Sequence, residues 1–304
     1  MNFILLSDVH ATSLQPRGRK DDYAETVMNK LDYVYSFAER KKAVVLQAGD
    51  YVDRPREWLM LPRLISLLKT YESVKTYMVI GQHDMYMRTR TTEDFRSTTI
   101  GLLQEMELVN IVRTATVGGV GISGAGWEED EVVPKIAANA THKKRILIIH
   151  APISMNKETG ISTLGAKTFA KKHLAFDVIL CGDIHKSFFY HTEGTTIVNT
   201  GPLVRKEATR YNMLHEPHFY LYDSRTGKFQ KKMVPCEESK DVISRDHIDR
   251  EAEINGIMNQ FMEAVEATTG VNSSDVLVNL YMYMKRIKVS KEVKFIIERI
   301  IDAS

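Results

Sequence analysis

Over roughly the first 200 residues, short apolar runs alternate with longer stretches whose apolar positions recur at helical spacing. The runs at 3–6, 43–46, 76–80, 146–149 and 178–180 predict strands, and the stretches at 22–40, 58–69, 92–106 and 130–140 predict helices. Alternation of this kind argues for an α/β layer architecture with helices covering sheet faces. From about residue 187 to 234 the pattern becomes strands only, SFFYH, TTIVNT, HFYLYD and KFQKKMV, with turns at Glu193-Gly194 and Thr226-Gly227. This predicts an antiparallel continuation of the sheets.

Beyond Pro235 a polar segment leads into helical patterns. One apolar stripe is Val276, Leu277, Leu280, Tyr281 and Met284; another, behind Ser290, is Val293, Ile296, Ile297, Ile300 and Ile301. The chain is therefore divided into a core, 1–236, and a helical extension, 237–304, which either packs on the core or docks another chain. Gly119-Val-Gly121-Ile-Ser-Gly124 spells the dinucleotide fingerprint GxGxxG, but acidic residues follow it where a pyrophosphate would sit. It reads as a glycine-rich strand and turn.

Composition changes little in this picture. With 43% hydrophobic and 26% charged residues and a net charge of +2, no global field points to nucleic acid or membrane. An anionic substrate has to be met locally. Two cysteines make no disulfide framework, which favours a reducing, cytoplasmic setting. The N-terminal apolar run is too short for a signal peptide, and no stretch is long enough to span a bilayer.

The chemistry gathers at the strand ends. After the five runs come Asp8-Val-His10, Gly49-Asp50-Tyr-Val-Asp53, Gly81-Gln82-His83-Asp84, His150, and Gly182-Asp183-Ile-His185. Ligands in α/β sheets bind beyond the carboxyl ends of strands, and Asp, His and amide oxygen suit divalent Mn, Fe, Zn or Mg. Taken singly, each motif is as well explained by a solvated turn; five in succession are not. Seven candidate donors (Asp8, His10, Asp50, Gln82, His150, Asp183 and His185) are too many for one ion and suit two that share a carboxylate. Two such ions favour in-line displacement at phosphorus. His83 beside Asp84 suits protonation of a leaving oxygen. His173, His191 and His247 read as structural or exposed, and His215-Glu-Pro-His218 as loop.

In chain order the motifs D-x-H, G-D-x-x-D, G-Q-H-D, H and G-D-x-H resemble those of the calcineurin-like metallophosphoesterases over roughly residues 1–235. Within that superfamily, Asp8-Val-His10, GDIHK and VNTGPLVR (198–205) most resemble the SbcD-like DNA nucleases of repair, recombination and replication. The resemblance implies a four-layer α/β/β/α sandwich of two mixed sheets. It implies one ion on Asp8, His10, Asp50 and His185, and a second sharing Asp50 with Gln82, His150 and Asp183. His83 would be the catalytic acid, steadied by Asp84. The ions expected are Mn2+, with Mg2+ as the alternative. The partners implied are DNA, an SbcC-like ATPase on the C-terminal helices, and a second copy of the chain, with no membrane. Gln82 stands where the family has Asn, and Asp183 where it has His. Both departures fall on the second ion: Gln82 keeps an amide oxygen on a stem longer by one methylene, and Asp183 hardens the donor set towards Mn or Mg. GDYVDRP also resembles a phosphoprotein phosphatase motif in which Arg54 grips phosphate, so a phosphomonoesterase is one alternative and a non-catalytic scaffold another. Arg54, Arg88 and Arg205 are the candidate substrate contacts, with Arg90 beside them.

Overall fold

Side chains alternate between two faces along a strand, and residues 3–6 show the consequence: Phe3 and Leu5 enter one apolar cluster, Ile4 and Leu6 another. The computed structural model of the chain describes residues 1–86, 92–128, 142–156, 162–192 and 194–266, with Met284, Ser290 and Lys294. In chain order its elements begin with β1 (Asn2–Leu6), α1 (Tyr23–Arg40), β2 (Ala43–Ala48), α2 (Leu61–Thr70), β3 (Thr76–Val79), α3 (Thr92–Arg96), α4 (Thr99–Glu105) and β4 (Asn110–Ile111). There follow β5 (Thr114–Val117), β6 (Val120–Ala125), β7 (Lys144–His150), the short pair β8 (Ile153–Ser154) and β9 (Leu164–Gly165), α5 (Ala166–Lys172) and β10 (Val178–Gly182). The last are β11 (Phe188–Thr192), β12 (Thr195–Asn199), α6 (Arg210–Leu214), β13 (His218–Asp223), β14 (Lys228–Met233), α7 (Ser239–Val242) and α8 (Asp246–Glu266).

Two six-stranded mixed sheets result. The first runs β14-β13-β1-β2-β3-β4, parallel from β1 to β4 and antiparallel at β13 and β14. The second runs β11-β12-β10-β7-β6-β5, parallel in the middle and antiparallel at both edges. Three apolar clusters fix the layers. Ile4, Leu6, Val45, Met78 and Phe219 of the first sheet pack against α1, α2 and α4 through Val27, Leu31, Leu64 and Ile100. On the opposite face, Phe3, Leu5, Val44 and Leu46 meet Ile122, Ile146, Ile148 and Leu180 of the second sheet. The far side of the second sheet, Leu147, Ile149, Ile179 and Ile197, is covered by Ala166, Phe169 and Ala170 of α5. The expected four-layer sandwich is thus built from strand alternation and the apolar stripes of four helices.

Local signals set the element ends. Asp22 caps α1 by accepting from the Glu25 amide at 2.9 Å. The expected helix 58–69 starts later, at Leu61: Pro62 fixes its first turn, while Trp58 and Leu59 turn outward, 50% and 77% exposed. The expected helix 92–106 is two helices, because the Thr98 hydroxyl accepts from the Gly101 amide at 3.0 Å and starts α4 anew. The GxGxxG stretch is a hairpin, β5 and β6 joined by Gly118-Gly119 with φ of 56° and 80°.

The chain divides into two compact units, Met1–Ile243 and Ser244–Ser304, so residues 237–243, including α7, lie with the core. In the second unit α8 is described. The helix expected at 130–140 and the stripes beginning at Val276 and Val293 lie outside the described residues, Met284 of the first stripe excepted. No helix among the described residues is long and apolar enough to cross a membrane.

Candidate metal centre

Five parallel strands deliver the donors. β1, β2 and β3 lie side by side in the first sheet, β7 and β10 in the second, and each ends where its polar motif begins. The chain turns sharply there: Asp8, His10, Asp50 and Asp183 have φ of 49°, 49°, 53° and 95°, in the left-handed region. Non-glycine residues rarely stay there unless their surroundings hold them. Backbone bonds do so here, from the His10 amide to the Asp50 carbonyl at 2.9 Å and from the Asp183 amide to the Asp8 carboxylate at 3.0 Å.

The side chains converge on one space. His10 Nε2 and His185 Nε2 lie 3.0 Å apart. Asp50 Oδ2 is 3.7 Å from His10 Nε2 and 3.5 Å from His150 Nε2, between the two imidazoles. On the His150 side, Gln82 Oε1 lies 2.7 Å from His150 Nε2, and the Gln82 amide donates to Asp183 Oδ1 at 2.6 Å. Three donor groups fall within 4.8 Å: Asp8, His10 and His185; His10, Asp50 and His83; and Asp8, Asp50 and His150. The imidazoles are oriented from behind. His150 Nδ1 donates to the Ala48 carbonyl at 2.6 Å, and His10 Nδ1 faces Asp53 Oδ1 at 3.2 Å, so both present Nε2 to the centre.

Burial makes this arrangement demand a cation. Asp8, Asp50 and His150 are 1% exposed or less, and Asp8 Oδ2 is buried with no hydrogen-bond partner. Burial, with Asp50 nearby, raises the Asp8 carboxyl to about 6 against the pull of His150 and His10. Burial alone would lower His150, yet Asp50 and Asp8 lift it to about 10. Burial lowers His10 and His185. An orphaned buried carboxylate oxygen amid imidazole and carboxylate donors fits divalent metal ions. Asp8, His10, Asp50 and His185 would hold one, and Asp50, Gln82, His150 and Asp183 another.

The remaining expectations divide. His83 is at the centre, its amide donating to Asp50 Oδ1 at 2.9 Å and its Nδ1 to the Asp53 carbonyl at 2.8 Å. Asp84 does not steady that ring. It is fully buried, and its two oxygens accept from the Val52 amide at 3.0 Å and the Gly81 amide at 2.9 Å, tying the β2 and β3 loops together. Arg54 is exposed beside the motif, and Arg88 and Arg90 lie outside the described residues. Arg205 is buried away from the centre, donating to the Glu237 carbonyl. Its neighbour Lys206 reaches the site instead, pairing with Asp53 Oδ1. Sequence reasoning passed over Asp53 and Lys206 as site residues. Asp53 was visible as the second aspartate of GDYVD; nothing marks Lys206 except its place after VNTGPLVR. His215 and His218 are structural, bonded to the carbonyls of Pro202 and Glu216 at 2.8 Å each.

Binding of ions to the folded state alone stabilises it. Mn2+ at about 100 times its dissociation constant should add about 2.7 kcal/mol over chelator-treated protein. Differential scanning fluorimetry should show this as a rise of several degrees, and Asp8→Asn should remove most of it.

Comparison with known proteins places these observations. Among solved structures, TT1561 of Thermus thermophilus is 13% identical, with 77% of this chain and 99% of that one covered at a TM-score of 0.49. The calcineurin-like phosphoesterase YfkN from Bacillus subtilis is 11% identical over 79% and 93%, with a TM-score of 0.45. A novel archaeal phosphodiesterase is 10% identical over 77% and 100%, with a TM-score of 0.39. No curated protein sequence matches. The family model for calcineurin-like phosphoesterases matches residues 1–187, more than half of the chain and all the strand-end motifs. The chain belongs to the calcineurin-like phosphoesterase family.

Proposed function

We propose that this protein is a two-metal phosphodiesterase of the SbcD-like type that cuts DNA, with Mn2+ as its working ion. The observation that carries the two-ion reading is the place of Asp50 Oδ2 between two imidazoles, 3.7 Å from one and 3.5 Å from the other. A carboxylate so placed suits a bridging ligand. When bound, the ions supply an activated water and neutralise phosphate charge.

The chain's own groups do the rest. A carbonyl only accepts, so the bond from His83 Nδ1 to the Asp53 carbonyl fixes the proton on Nδ1 and leaves Nε2 to exchange a proton with substrate. The ring is 38% exposed, open to a leaving oxygen. Lys206, held by Asp53 and 25% exposed, places a positive charge beside it that suits an anionic diester. Asp84 keeps the loops of Val52 and Gly81 in register, so that the Asp50 and His83 positions stay fixed relative to each other.

The two departures from the family pattern support an active centre. Gln82 and Asp183 face each other, joined at 2.6 Å, and Gln82 also meets His150. The longer amide stem thus reaches the group that replaced histidine. Independent decay would not pair them. The diester reading follows the SbcD-like motifs, and Asp84 and His185 separate the chain from the phosphatase pattern that Arg54 suggests.

Purified full-length protein with Mn2+ should cleave single- or double-stranded DNA in preference to a phosphomonoester. His83→Ala should lower turnover by about 10²–10⁴-fold while keeping the Mn2+-dependent thermal shift. Absence of any metal-dependent cleavage in the parent would leave a scaffold as the better account. For the paired departures, Gln82→Asn and Asp183→His should each weaken Mn2+ binding, and the double variant should do so by less than the sum. A coupling of about 1–3 kcal/mol by calorimetry is expected, and strict additivity would break the pair.

A further inference from the structure

A cleft of about 550 Å³ opens between α1 and the segments around residues 205 and 235, lined by Arg19, Lys30, Tyr33, Arg205, Pro235 and Cys236. It is separate from the metal centre: the intervening segment gives its Leu203 amide to the Asp8 carbonyl at 3.1 Å and its Leu203 carbonyl to Lys30 Nζ at 3.3 Å.

Asp21, Asp32 and Glu237 also line the cleft, yet two of its cations, Lys30 and Arg205, have no ion-pair partner among the described residues. Lys30 and Arg205 are each only 5% exposed. Lys30 Nζ has a carbonyl as its partner; Arg205 donates to the Glu237 carbonyl, and its Nε is buried with no partner at all. Among the described residues no carboxylate lies within ion-pair reach of either. The nearby Asp21 is already engaged by Arg19 at 2.8 and 2.6 Å and by the Thr26 hydroxyl at 2.6 Å. Burial accordingly lowers Arg205 and brings Lys30 down to about 8. Buried charges are normally paired, because leaving one unpaired costs several kcal/mol.

We infer that this cleft binds a phosphate monoester group, with Lys30 and Arg205 holding its oxygens. A guanidinium and an ammonium lining one cleft suit a dianionic oxyanion better than a single carboxylate. Asn29, Ser36 and Tyr33 add neutral polar groups along α1, and the volume has room for a group as large as a nucleotide.

Cys236 supplies the reporter. It lines the cleft and is exposed, whereas Cys181 is buried, so alkylation of the native protein reads Cys236. The full chain is alkylated with iodoacetamide during titration with inorganic phosphate or adenosine 5′-monophosphate, against chloride at matched ionic strength and against adenosine. A saturable slowing of about fivefold or more is expected, a rise of about 1 kcal/mol in the barrier to alkylation. Saturation by phosphate alone identifies free phosphate as sufficient, and saturation by the monophosphate alone identifies a nucleotide. Lys30→Met should abolish the slowing. Since that residue is buried, the exposed Asn29 gives a second arm that leaves the core intact: Asn29→Asp should raise the half-saturating concentration and Asn29→Lys lower it, each about threefold. Slowing no greater than in chloride, or the same in the Asn29 variants as in the parent, overturns the assignment.

Discussion

One carboxylate ties the centre together. Asp50 Oδ1 takes the His83 amide, and its Oδ2 lies between His10, from the first sheet, and His150, from the second. The two sheets therefore meet at a charge rather than only at the apolar layer between them. Moving Asp50 would disturb His83 and both imidazole groups at once. Its setting is arranged accordingly: left-handed backbone, and a position 1% exposed that lets neighbouring histidines hold the carboxyl well below its usual range despite burial.

Around it the structure accepts unfavourable local states. Four of the candidate ligand residues sit in left-handed turns, states that cost of order 1–3 kcal/mol each when nothing holds them. Aspartate and histidine enter this region more readily than most residues, so all four are of the cheaper types. Asp84, fully buried and lifted to about 7 by burial and by Asp50, stays because its oxygens hold two backbone amides. Such groups are retained where they set geometry, and here they fix the directions in which the strand ends release their side chains. The four layers supply rigidity, since each strand is clamped by apolar contacts on both faces before its polar end begins.

Much of this was legible from the chain. The strands and the donors at their ends follow from continuous apolar runs that break into polar motifs, and all seven donors expected from residue type and position meet at one place. The limits of legibility are physical. The bond between Gln82 and Asp183 spans 101 positions, and no local pattern encodes it. Asp84 reads as a partner of its neighbour His83, yet successive residues at a turn point apart, and its oxygens meet Val52 and Gly81 instead. Arg205 and Lys206 exchange roles for the same reason: one turns inward under burial and the other outward to Asp53. Helix ends shifted where a cap competed with periodicity, as at Thr98.

The central claim is that Asp50 is shared by two ions, and anomalous diffraction from crystals grown in excess Mn2+ tests it most directly. Two peaks are predicted, both ligated by Asp50, one beside Asp8, His10 and His185 and the other beside Gln82, His150 and Asp183. A single peak, or two that do not share Asp50, would contradict the account.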